Sequence, residues 1–131
     1  MAVLSARDAT ISSPNTVAVA LSTAQTGNGD STNTVDRGLS GLGQQGSIVV
    51  TSAVGATPTV TVNILGSPDG VNFDNIAYAL QATPETPAVA ALTITTAVTT
   101  IYRLRPFHNW RYLKLNLSAN TNVTLTATAY V

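Results

Sequence analysis

Few residues in this sequence are equipped for chemistry. His108 is the single histidine, and a hydrolytic reading would make it a general base beside an Asp or Ser. It follows Pro106-Phe107 and precedes Asn109, where the chain is expected to bend, and a surface or packing role suits that position better. No G-x-S-x-G, H-E-x-x-H or phosphate-loop pattern occurs in the 131 residues. The sequence therefore predicts a protein that is not an enzyme.

Two clusters invite a metal reading: Asn28-Gly29-Asp30 with Asn33, and Asp69 with Asn72 and Asp74. Calcium wants roughly six to eight oxygens with converging carboxylates, and neither cluster reaches the D-x-[DN]-x-[DN]-G spacing with its distant Glu. Asn, Asp and Gly are also the residues that turns select for local hydrogen bonds and positive φ. The absence of cysteine rules out thiolate sites and disulfides. No metal and no cofactor are expected.

A third group is more suggestive. Arg103, Arg105, Arg111 and Lys114 are four of the six basic residues, and they stand beside Tyr102, Phe107, Trp110 and Tyr112. Alternate residues of a strand share a face, so Arg103 and Arg105 project together with Ile101, and Trp110, Tyr112 and Lys114 project together on the next strand. Arginine interleaved with aromatics is the composition of protein-interface hot spots, and such a platform can also stack on sugars or bases. Nucleic acid is disfavoured, because six basic residues balance six acidic ones and no basic run occurs. Trp110, the sole tryptophan, precedes Leu113, Leu115 and Leu117 and is expected to pack at the end of a core.

The elements that must position these residues read as strands. Residues 47–54 and 58–65 are rich in β-branched and hydroxyl side chains, with Val60, Val62 and Ile64 alternating against Thr59, Thr61 and Asn63. Gly66-Ser67-Pro68-Asp69-Gly70 reads as a turn. Residues 71–80 return, 81–87 with their two prolines read as an exposed loop, and 92–98 and 99–105 follow. Residues 110–117 and 122–131 are expected to pair as a hairpin across 118–121. About eight short strands without a long helix predict an all-β fold, a two-sheet β-sandwich of jelly-roll type.

Residues 1–45 differ. They hold one short alternating run at 16–21, then polar, glycine-containing stretches. They read as an extended N-terminal arm and edge strand with loops, attached to a single core domain at 46–131. Val3, Leu4 and Ile11 are the apolar residues the arm offers for contact with a neighbouring subunit or a larger assembly. Neither a basic segment leading an apolar one nor a run of eighteen apolar residues occurs, so no signal peptide and no membrane span are expected.

Charged residues make up only 9% of the chain and cancel to zero net charge, against about 25% in ordinary globular domains. A neutral, sparsely charged monomer is poorly protected against association. Hydroxyls and amides must solvate its surface, or a partner must cover it.

The order of Ile48-Val49-Val50, Gly55-Ala56-Thr57-Pro58-Thr59-Val60, Gly66-Ser67-Pro68-Asp69-Gly70-Val71-Asn72-Phe73, Trp110-Arg111-Tyr112-Leu113-Lys114-Leu115-Asn116 and a Thr-rich closing strand resembles small structural proteins of tailed bacteriophages. Those proteins carry a G-S-x-D-G-x-x-F turn and an R-Y-L-[RK] strand, and some are capsid decoration, or cement, proteins. The resemblance covers residues 46–131. It implies a virion protein made in the host cytoplasm and placed on the capsid surface, with the major capsid protein as partner. Val3, Leu4, Ile11, Arg103, Arg105, Phe107 and Trp110 are the expected interface residues. A cement protein gains from spanning several subunits at a symmetry axis, so a homotrimer is expected. The competing expectation is a carbohydrate- or receptor-binding module of a phage tail, with Trp110 and Tyr112 as its platform.

Overall fold

A computed structural model describes residues 18–37, 46–80, 83–104 and 110–131. The arm residues Val3, Leu4 and Ile11, and with them Arg105, Phe107 and His108, lie outside the described residues. Ten strands are described, and no helix among these residues: β1 (Ala18–Gln25), β2 (Gly29–Asp30), β3 (Val35–Asp36), β4 (Ser47–Ser67), β5 (Asp74–Asn75), β6 (Tyr78–Leu80), β7 (Thr83–Ala88), β8 (Leu92–Ile94), β9 (Thr99–Leu104) and β10 (Tyr112–Tyr130). The all-β expectation is met.

All ten join one antiparallel sheet along the path β1-β10-β4-β9-β6-β7, with β2 and β3 on β10 and β5 and β8 on β4. The sheet is not closed. Here the structure departs from the two separate sheets of the expected jelly-roll sandwich. Its two long strands, β4 with 21 residues and β10 with 19, were expected as four short ones. They pair from Tyr112↔Ser67 to Tyr130↔Ser47. The break expected between the strands 47–54 and 58–65 and the hairpin turn expected at 118–121 are instead irregularities inside continuous strands. Residues 55–58 face Asn122 alone, between the pairs Thr121↔Thr59 and Val123↔Val54. Thr57, Ala119 and Asn122 take positive φ there (45°, 51° and 53°), and the Asn122 side chain donates to the Ala56 carbonyl at 2.6 Å. Extra residues on one strand bend it without ending its pairing.

This bend divides the sheet into two halves. The first holds β1, the 123–130 part of β10, the 47–54 part of β4, then β9, β6 and β7. The second holds β2 and β3, the 112–121 part of β10, the 59–67 part of β4, then β5 and β8. Alternation keeps its phase across the bend: Ile48, Val50, Val60, Val62 and Ile64 are buried on β4, and Leu113, Leu115, Leu117, Val123, Leu125 and Ala127 on β10. The same face of the sheet is therefore inward on both halves, and one hydrophobic cluster joins them, with Leu21, Val35, Ile94 and Tyr102 added from the shorter strands. Burial of this apolar face drives the folding-over.

The segment expected as a loop at 81–87 holds all but the last residue of β7, which stands at the end of the strand order. Pro84 and Pro87 lack N–H groups for a further ladder, so proline here marks a sheet edge and not the absence of a strand.

Candidate interaction surfaces

The outer face of the second half is a closed network. The Asp36 carboxylate accepts from Arg111 Nε at 2.7 Å and Nη2 at 3.0 Å, a two-pronged pair that raises the arginine's pKa. Asp30 accepts from Lys114 Nζ and from Asn116 Nδ2, each at 2.8 Å, and these bonds, the lysine's first, hold its carboxyl below the usual range. Lys114 also lies 4.0 Å from the centre of the Phe73 ring, and the Arg111 guanidinium 5.2 Å from that of Tyr112. Arg37, its pKa lowered by burial, donates to the Trp110 carbonyl at 3.4 Å.

Trp110 itself is half-buried against the core. A Cβ built on Gly66 would stand 2.8 Å from Trp110 Cγ and 2.7 Å from Ile76 Cγ2, so the indole lies on bare backbone of β4 where only glycine fits. Gly70 lies against the Tyr112 ring: a Cβ built on it would stand 3.3 Å from the ring carbons Cε2 and Cζ, and its φ of 78° is one that side chains rarely adopt. These aromatics pack; neither stands out as a free stacking platform.

Both metal-like clusters are used for turns. Asp69 Oδ1 accepts the Val71 and Asn72 N–H groups and the Ser67 hydroxyl, each at 2.8 Å, and its Oδ2 accepts Asn72 Nδ2 at 2.7 Å. These donors, the Asn72 and Val71 backbone first, drive its pKa far below the carboxylate range. Asp74 accepts its neighbour Asn75's N–H, Asn28 Oδ1 accepts the Asn120 N–H, and Asn33 donates to the Ala20 carbonyl. At the bend an open groove of about 420 Å³ is lined by Thr26, Ala53, Val54, Gly55, Asn122, Val123 and Thr124. None of these side chains titrates.

The first half's outer face is different. Its rows follow the register: Ala18, Tyr130, Ser47 and Arg103; then Ala20, Thr128, Val49 and Ile101; then Thr126, Thr51 and Thr99. Thr51 and Thr99 hydroxyls meet at 3.2 Å. Arg103 is exposed, with Ile101 half-buried on the same face as the alternation required. It stands across from Ser47, at the start of β4, while Trp110 lies on Gly66 near the other end. The structure thus assigns Arg103 and Trp110 to different halves. The Thr51–Thr99 hydroxyl pair on the same face as Arg103 was not legible in the sequence, because it depends on which strands become neighbours.

No protein-family model matches the chain, and no curated protein sequence matches it. The fold is shared with a prophage-derived protein. The crystal structure of YomS, from the SPBc2 prophage, superposes with a TM-score of 0.62 over 91% of this chain and 96% of that one, at 8% sequence identity. The likeness is one of fold, and it spans both halves of the sheet.

Proposed function

We propose that this chain is a structural protein of a bacteriophage particle that acts through protein–protein contact, and within that class a capsid decoration protein bound to the major capsid protein. The observation that carries the reading is the near end-to-end likeness to a prophage-derived protein. Composition supports it: with 9% charged residues and no net charge, a surface of hydroxyls and small apolar groups suits a protein held in an assembly. The folded-over sheet would serve as the expected sandwich does, offering two outer faces around one core. The packing of Trp110 and Tyr112 on glycines weighs against the sugar-binding tail module, which needs an open aromatic face. A homotrimer on the outside of the head, with no cofactor and no catalysis, completes the proposal.

The test is to add the purified full-length chain to heads assembled without it. Saturable binding at a copy number that is a multiple of three per symmetry site is expected, together with heads that resist heat or chelation better. Recovery of the chain in tails alone, at a few copies per particle, would refute the decoration role.

A further inference from the structure

We propose that the outer face of the first half, centred on Arg103, docks on a partner protein surface that presents a carboxylate among uncharged groups. This deepens the decoration reading and rests on it.

Asp30 holds Lys114, Asp36 holds Arg111, Arg37 reaches the Trp110 carbonyl, and Asp69 and Asp74 bind backbone of their own loops. Among the described side chains, Arg103 is the one charged group that is exposed and has no partner within the chain. In a protein so sparing of charge, an arginine left unpaired by its own fold is available to another molecule.

Its surroundings fit that use. Arg103 stands beside Ser47, with Ile101 two positions away on its own strand and Val49 beyond it in the next row. Tyr130, in line with Ser47, keeps 39% of its surface exposed. Thr51 and Thr126 are exposed in the row beyond. Such groups are cheap to strip of water, so a partner can come close around the guanidinium, whose planar fork takes a carboxylate through two parallel hydrogen bonds.

The partner's chemistry follows from charge. Among its described carboxylates, a second copy of this chain has little to offer Arg103, since Asp30, Asp36 and Asp69 are already held by their own donors and Asp74 accepts the Asn75 N–H. The complementary carboxylate is therefore assigned to a different protein, and the solution mass of the variants tests a second copy. Contact through the face also agrees with the strand edges. Pro84 and Pro87 interrupt the donors of β7, and the Asn33 backbone and side chain occupy the Leu21 and Ala20 carbonyls of β1 at 2.9 Å each, so addition of a partner strand is blocked at several points.

The experiment uses the full-length chain with heads that lack it, comparing Arg103→Glu, Thr51→Glu and Arg103→Lys with a control in the Asp69 loop, Val71→Glu, at a residue 79% exposed. Melting temperature and solution mass are measured beside binding. Both glutamate variants on the face should fold as wild type and bind heads at least about tenfold more weakly, the lysine variant should fall between, and Val71→Glu should bind normally. Normal binding by Arg103→Glu and Thr51→Glu, while wild type binds heads, would overturn the docking face and leave the decoration role standing. So would unchanged head binding with a lower solution mass, which would make this face a contact between copies. Failure of wild type to bind heads would instead remove the reading beneath it.

Discussion

On one half of the sheet Lys114 lies 2.8 Å from Asp30 and 4.0 Å from the centre of the Phe73 ring; on the other, Arg103 projects from a field of Thr, Val and Ile with no partner among the described residues. Both faces are built on the same two strands, β4 and β10, so backbone geometry does not explain the contrast. The side chains brought by the shorter strands do. β2 and β3 carry Asp30 and Asp36 to the edge of β10 and satisfy its cations. β1 and β9 bring Ala18, Ala20, Thr99 and Ile101, which supply no counter-charge. A polar network completed within the chain strengthens the fold, whereas an incomplete one marks a surface finished by something else.

If that division is right, substitutions where Trp110 packs against the core of the second half and substitutions on the first half's outer face should differ most in stability. Trp110→Ala, which uncovers Ile76 and the Gly66 backbone, should cost about 3 kcal/mol in chemical denaturation, and Gly66→Ala about 1–3 kcal/mol by forcing the indole and Ile76 apart. Thr51→Ala on the first half's outer face should change stability by less than about 0.5 kcal/mol. Equal costs at the two places would erase the contrast.

Acid should act on the second half first. Asp69 and Asp30 have folded-state pKa values below the ordinary 3.8, so their ionised forms stabilise the fold above that pH. Protonation removes the contribution as pH falls through 3.8 and below, where the unfolded chain binds more protons than the folded one. The melting temperature should therefore drop between about pH 5 and pH 2, and Asp69→Asn should flatten the drop while lowering stability at neutral pH. A profile identical to wild type would show that the loop's hydrogen bonds do not hold it.

The smallest effect expected concerns two buried tyrosines whose rings meet edge to face with centroids 4.9 Å apart. The Tyr78 hydroxyl donates to the Ala90 carbonyl at 2.6 Å, while the fully buried Tyr102 hydroxyl has no partner. Burial raises the pKa of both phenols, which keeps them neutral. Tyr78→Phe should cost about 1 kcal/mol, and Tyr102→Phe should cost nothing or stabilise slightly. The pair of melting curves separates a satisfied hydroxyl from an orphan one.

Much of the core was legible in the sequence because period-two alternation survives any rearrangement of strands. Val60, Val62 and Ile64, and Val123, Leu125, Ala127 and Ala129, are inward as their spacing required. The strand ends were not legible. Gly55 and 118–121 carry the residues of turns, and a bulge selects those same residues for the same reason, a need for positive φ or local side-chain hydrogen bonds. The sequence therefore predicts four strands, the last two as a hairpin, where two bent strands exist. Lone sites fared unevenly: Arg103 was visible as a basic residue among aromatics, but its isolation from the described carboxylates emerges only when β9 is placed beside β4. Asp30 and Lys114 are 84 positions apart, and nothing local pairs them.

The most direct measurement is a reconstruction of the head with this chain bound, at a resolution that places the strands. The account predicts that the outer face carrying Thr51, Ile101 and Arg103 lies against the shell, with an acidic side chain of the capsid protein at Arg103 and the Asp30–Lys114 network toward solvent. The opposite orientation, or no density for the chain on the head, would contradict it.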